Sequence, residues 1–367
     1  MIFNSKHFTV ILLSLSIFIF NGFLTVSAQE NQANNSESFG IEEIIVTARK
    51  VEESAQDVPV AITAITEQLR KSNIRNLSDL QGFAPNVIIG NYGERSGGAN
   101  LNIRGISPPR SDDNSFDAPI AVMIDGIHLG TSAGQILENF DLERVEVLRG
   151  PQGTLFGKNT VGGVINVIRS KPTGEFGARL KATIGDDGQQ ELRAVVNFPI
   201  SEGKVAGKVF ATMIEDDGWL PNITLGKKVP EKDYQNFGFS LLFTPNEKFE
   251  ATVTIEQFDD QSDLAGYHYS YNFANGVATP PTDPRQVNTA LATTACTNYG
   301  ACRNSLDIPS YAENDTNNDA ALETDAITIN ASYQLTENSQ LVYVGGTRDL
   351  TEYRIYDFDA SAAPFIT

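Results

Sequence analysis

The sequence predicts a two-part fold: an α+β domain over 54–172, then antiparallel transmembrane β-barrel strands over 173–367. Three observations predict it. Apolar residues alternate with polar ones along several segments after Gly177, the period of a strand with one face in lipid. The connections between those segments alternate short and long, as when a barrel carries turns on one side and loops on the other. A glycine-rich run from Asp141 to Ile168, with β-prone flanks, closes a preceding region of mixed helix and strand signals.

In chain order, Lys6 and His7 precede an apolar run from Phe8 to Phe20, and Val26-Ser27-Ala28 supplies small residues at a cleavage position. This is the pattern of a secretory signal peptide over 1–28, because the apolar core is shorter than the roughly 20 residues of a spanning helix. Residues 29–53 read as a flexible tether. Gln29 to Gly40 is polar and almost free of β-branched residues, so it buries too little surface to order itself. Ile41 to Lys50 is then a short β-prone run with no sequence neighbour to pair with. An extended peptide on such a leash can add a strand to the sheet edge of a partner, although an ordinary first strand of the next domain is the alternative.

Within the α+β domain, Val58 to Thr63 reads as a strand and Glu67 to Ser72 as a short helix. Ile74, Leu77, Leu80 and Phe83 place an apolar stripe on a second helix before Pro85. Two loops, Gly90 to Ala99 and Ser107 to Ser115, read as exposed. Leu101 to Gly105 and Pro119 to Gly126 are strands ending in turns, and Val145 to Leu148 and Val164 to Ile168 are strands flanking the five glycines of the motif.

In the barrel region, Leu192, Ala194, Val196, Phe198 and Ile200 alternate with polar neighbours, as do Phe237 to Phe243, Phe249 to Ile255, Ile327 to Tyr333, and Leu341 and Tyr343. Ser201 to Gly203, Thr244 to Lys248 and Thr336 to Ser339 are tight connections, whereas Asp216 to Asp233 and Asp259 to Leu322 are long. A β-sandwich also alternates, but has no reason to put every long loop at one end. Mean hydropathy just below zero agrees with membrane strands, whose polar face offsets the apolar one.

Net charge of −19 argues against nucleic-acid binding, which needs a basic surface to neutralise phosphates. Catalytic patterns are also missing. Gly153 to Asn159 has three residues between its glycines and Asn after Lys158, so it fails as a phosphate loop. No nucleophile elbow appears, and His128 and His268 stand far apart without a motif, so the chain does not read as an enzyme and implies no cofactor or metal. His268 sits among aromatics, either extending a strand or lining a wall for a planar ligand. Cys296 and Cys302, close together in an exported chain, predict a local disulfide rather than a metal site.

Glu143 to Pro151, the Leu155-Phe156-Gly157 turn and Gly162 to Asn166 closely resemble the end of the plug domain of TonB-dependent outer-membrane receptors. Ala84-Pro85-Asn86, Ile103-Arg104-Gly105 and Ile124-Asp125-Gly126 resemble further plug elements in the family's order. The resemblance implies a periplasmic N-terminus and an outer-membrane, 22-stranded barrel with a plugged lumen, of which this chain holds the signal, the plug and about a third of the strands. It implies that Glu43, Ile44, Ile45, Val46, Thr47 and Ala48 form the TonB box, which binds a TonB-type energy-transducing protein. It further implies that Arg104 and Arg149 tie the plug to barrel carboxylates, and that Tyr92, Arg95, Arg110 and Asp112 on apical loops contact the ligand. The expected activity is energy-coupled import of an iron chelate by a monomer embedded in outer-membrane lipid; a passive porin or adhesin, or import of cobalamin or glycans, is the alternative. The short stretch from Gln29 to Ile41 leaves no room for an extra signalling domain.

Overall fold

A computed structural model describes residues 44–47, 50–51, 53–66, 69, 76–91, 98–108, 117–135, 141–222, 225–263, 273–274, 277–278 and 319–355. The signal, the tether before Ile44, the helix expected from Glu67 (Leu69 apart) and both cysteines lie outside them, as does most of the acidic loop.

The first half builds a plug. Its strands are β1 (Ile45–Val46), β2 (Glu53–Ser54), β3 (Ile62–Ile65), β4 (Val87–Asn91), β5 (Ala99–Ile103), β6 (Ile120–Ile124), β7 (Ile127–His128), β8 (Leu142–Arg149) and β9 (Gly163–Arg169). A five-stranded sheet runs β3-β8-β9-β6-β7, with β6 and β9 parallel and β8 and β9 antiparallel; β1-β2 and β4-β5 are separate pairs. β6 is buried along its whole length because both faces of the sheet are covered, which is why Ile-Ala-Val-Met-Ile is apolar at every position. One face packs on Leu77, Leu80, Ile89, Leu101 and Ile103; the other packs Leu148, Val164, Ala121 and Met123 on Val46 and Val58.

Among the described residues the expected second helix is a 3-10 turn, Leu77–Leu80. Asn76 and Asp79 cap it reciprocally, Leu77 and Leu80 are buried, and Gly82 at φ +94 breaks the chain away before Phe83 joins the stripe. The motif's glycine turn contains one helical turn, α1 (Gly153–Phe156). Gly163 is where a glycine is required: φ is +153, and a Cβ would lie 2.3 Å from the Leu148 carbonyl oxygen.

The second half is a seven-stranded antiparallel sheet made of β10 (Gly177–Ile184), β11 (Gln190–Ser201), β12 (Val205–Asp216), β15 (Lys232–Asn246), β16 (Phe249–Asp260), β19 (Ala320–Thr336) and β20 (Ser339–Arg354). Two hairpins, β13 (Leu220–Asn222) with β14 (Lys227–Val229) and β17 (Phe273–Ala274) with β18 (Val277–Ala278), sit within the long connections. The five strands from β12 have 12 to 17 residues, more than the roughly 10 that cross a bilayer.

Alternation sorts the two faces. Phe239, Phe243, Ile255, Ile327, Leu341 and Tyr343 are exposed on the outer face, whereas Lys208, Ser240, Thr254 and Thr324 are buried on the inner one. Ser240 and Thr254 sit opposite each other and share a 2.9 Å hydrogen bond. The first outer connection, Gly185 to Gln189, is tight. Asp187 at φ +56 and Gly188 at φ +72 give the paired left-handed geometry of a two-residue hairpin turn. The plug touches the wall through glycine turns: a Cβ on Gly126 would lie 3.1 Å from Val344 Cγ1, and one on Gly134 3.1 Å from Leu322 Cδ2.

Candidate functional site: a docked strand and a riveted plug

The expected isolated strand is paired. Ile45 sits opposite Ser54 and Val46 opposite Glu53, and Ala55 N–H donates to the Ile44 carbonyl at 2.8 Å. The chain reverses after Thr47, where Lys50 N–H donates back to the Thr47 carbonyl, so the partner strand, Glu53–Ser54, straddles the boundary drawn between tether and plug. Val46 is fully buried against the plug sheet, while Ile44 and Ile45 stay exposed. Glu43 and Ala48 lie outside the described residues.

Thr47 is held by Glu146. Strand alternation on β8 sends Val145 and Val147 into one core cluster and puts Glu146 and Leu148 on the face that receives Val46. The fully buried Glu146 carboxylate accepts Thr47 N–H at 2.8 Å and the Thr47 hydroxyl at 3.1 Å. Arg144 Nε donates to it at 2.8 Å and Asn166 Nδ2 at 3.2 Å, so the buried charge is paired and hydrogen-bonded. The Lys50 amine lies 4.4 Å from the centre of the Phe156 ring of α1, and burial lowers its pKa.

The plug is fixed to the barrel at the two ends of the glycine-rich motif. At one end, buried Lys208 of β12 donates to Asp141 and to the Ser170 carbonyl; Ser170 Oγ donates to Asp141 at 2.6 Å and Arg179 approaches at 3.4 Å. At the other, Arg169 Nε meets Asp125 at 2.6 Å and Arg169 Nη1 meets Glu256 of β16 at 2.9 Å. Asn236 of β15 also donates to Glu256, at 3.0 Å. Burial works against the Arg169 charge, but the attraction and hydrogen bonds of Asp125 and Glu256 outweigh it and raise the guanidinium pKa. Lys171 and Glu250 add an exposed pair at 2.5 Å, the kind worth little.

These are not the arginines expected from the sequence. Among the described residues neither Arg104 nor Arg149 meets a barrel carboxylate. Arg104 is exposed at φ +54, and Arg149 Nη1 donates to the Pro85 carbonyl at 3.3 Å while its Nε is buried without a partner. The cause is geometric: Arg149 ends β8, roughly 25 Å along the strand from Asp141 and the described wall. Tyr92, Arg95, Arg110 and Asp112 lie outside the described residues, as do Cys296, Cys302 and His268. Partial burial of the His128 ring on β7 lowers its pKa, opposed by the charge of Asp117 and aided by that of Lys158.

Residues 54–164 match the family model for the TonB-dependent receptor plug domain. The chain carries a TonB-dependent receptor plug domain. It is 26% identical over 258 residues to the vitamin B12 transporter BtuB of Vibrio vulnificus, covering 67% of this chain and 39% of that protein. To the pesticin receptor of Yersinia pestis it is 28% identical over 187 residues, covering 50% and 27%. Among solved structures, the ferric yersiniabactin uptake receptor FyuA of Yersinia pestis superposes with a TM-score of 0.63 at 18% identity, covering 81% of this chain and 42% of that one. The siderophore receptor PiuA of Acinetobacter baumannii gives 0.59 at 20% identity, with 82% and 38% covered. The chain therefore spans less than half the length of these relatives, and its antiparallel sheet resembles part of their barrel wall. The family consists of outer-membrane receptors and transporters rather than enzymes, which places the protein in the outer membrane.

Proposed function

We propose that the full-length protein imports a scarce iron chelate, a ferric siderophore first of all, using energy delivered by a TonB-type partner that binds Glu43 to Ala48. The observation that carries this reading is the docked strand. Residues 44–47 form a short ladder on the plug, with a β-edge available for strand addition once released, and are held there by the burial of Val46 and the Glu146 carboxylate. A passive porin has no use for such a segment. The chelate would rest on the apical loops carrying Tyr92, Arg95, Arg110 and Asp112. Iron chelates are favoured because FyuA is described as a ferric yersiniabactin uptake receptor and PiuA as a siderophore receptor, while the vitamin B12 transporter keeps cobalamin as the competing cargo.

The test is growth and uptake in cells whose only receptor of this type is the full-length protein, with and without residues 43–48. Ferric siderophore uptake lost on deletion supports the reading. Uptake that persists points to a passive pore, and energy-dependent uptake of cobalamin or glycans alone replaces the cargo.

A further inference from the structure

We infer that the aromatic-glycine turn of the motif, Leu155 to Gly157, is a seat for the Lys50 ammonium, and that this contact helps keep residues 44–47 docked. Lys50 is then a positioning residue outside the box. The inference rests on the import reading only in taking 44–47 as the segment a partner captures.

The seat is fixed by its own hydrogen bonds. Phe156 closes α1, and Gly157 N–H donates to the Gly153 carbonyl at 3.1 Å. Gly157 at φ +83 then turns the chain away, a backbone angle that residues with a Cβ rarely adopt. Gln152 and Thr160, both buried, close the loop: Gln152 N–H donates to the Thr160 carbonyl at 3.0 Å, and the Thr160 hydroxyl donates to the Gly157 carbonyl at 2.8 Å. Phe156 packs against the cluster of Met123, Leu148 and Val164 that also receives Val46. Its ring is thereby held on the sheet face where the strand docks.

Lys50 reaches this ring from the turn between β1 and β2. Its N–H donates to the Thr47 carbonyl at 2.9 Å and its φ is +65, so its backbone is set by the same turn that ends the docked strand. The amine lies 4.4 Å from the ring centre, within the range of a cation–π contact. Among the described residues no carboxylate pairs with this amine, and burial works against its charge, so the ring is the group that offsets the lost hydration. The backbone of the turn demands Gly157 but no ring at 156, and leucine would meet the apolar packing; attraction for a cation is what the ring adds. The glycine-rich run thus supplies Glu146 for Thr47, Leu148 and Val164 for Val46, and Phe156 for Lys50.

The experiment measures docking with no partner present, so it can fail while the import reading stands. The full-length protein in a lipid bilayer carries Val46→Cys, with Cys296→Ser and Cys302→Ser, and the rate at which a thiol reagent labels residue 46 is followed by mass spectrometry. Val46 is fully buried when docked, so the rate scales with the undocked fraction. Lys50→Gln is expected to raise the rate about threefold, the ratio that an exposed cation–π contact supplies. Lys50→Arg keeps the charge and can stack on the ring, and is expected to label at the parent rate. In a Phe156→Leu background, Lys50→Gln should change nothing further. A Lys50→Gln rate equal to the parent's overturns the inference, as does Lys50→Arg labelling as fast as Lys50→Gln, or a threefold effect that persists without the ring. Uptake that survives deletion of residues 43–48 would remove the import reading and leave these rates as they are.

Discussion

Replacing Glu146 by glutamine should make the partner bind more tightly in the absence of ligand, although the substitution lies 99 residues from Thr47 and outside the box. The carboxylate accepts the Thr47 amide and hydroxyl together, and both bonds are charge-assisted. A hydrogen bond to a charged group contributes about 1.5–3 kcal/mol and a neutral one about 0.5–1.5. Glutamine keeps one acceptor and turns an NH2 group toward Asn166 Nδ2, itself a donor, so docking should weaken by about 1.4 kcal/mol, a factor of about 10. Apparent affinity scales with the fraction of receptor whose box is free, so the Kd for the periplasmic domain of the TonB-type protein should fall about tenfold by calorimetry on the full-length receptor. Glu143→Gln is the control: it also removes a carboxylate paired with Arg144, but on the half-exposed side away from Thr47, and should leave the Kd unchanged. An unchanged or higher Kd in Glu146→Gln, with Glu143→Gln behaving as wild type, would refute the assignment of Glu146 as the residue that holds the box.

Other consequences follow from the same contacts. Arg169→Met strands Asp125 and Glu256 and should cost about 3–5 kcal/mol, read as a lower urea midpoint for plug unfolding. Gly163→Ala forces a Cβ against the Leu148 carbonyl at a backbone angle alanine rarely adopts; the amount of folded receptor in outer-membrane fractions should drop sharply. Ile255→Arg puts a charge on the lipid face and should destabilise the barrel by about 2–4 kcal/mol near the midplane, whereas Thr254→Ser on the inner face should change the unfolding free energy by less than about 1 kcal/mol.

The period-two pattern of Phe237 to Phe243 and Phe249 to Ile255 reported the lipid face directly, because each side chain's direction follows from strand geometry alone. The glycine motif was legible for a similar reason: Gly163 is demanded by its own backbone and its strand neighbour. The docked strand was not legible, since a two-residue ladder is stabilised by Val46 entering a core shared with Val58, Ala121, Met123, Leu148 and Val164, 12 to 118 positions away. The plug-to-barrel pairs were hidden in the same way. Lys208 and Asp141 are 67 residues apart and Arg169 and Glu256 are 87 apart, and nothing local to either residue names its partner. A signal did exist in hindsight: Glu146 stands between Val145 and Val147, and Lys208 in the apolar first half of β12, where an unpaired charge is prohibitively costly. The apolar stripe from Ile74 to Phe83 misled because Gly82 ends the helical geometry after a single turn.

The turns at Gly126 and Gly134 bear on the leak-tightness of the cell envelope. With no Cβ, the plug backbone comes within van der Waals reach of Val344 and Leu322, and Gly134 comes close to Arg348, leaving no layer of solvent at those points. A bulky side chain at Gly134 would hold the seam open by the width of a methyl group or more. A resting receptor would then admit small solutes along its wall, and the cell would lose some of its resistance to antibiotics normally too large to pass.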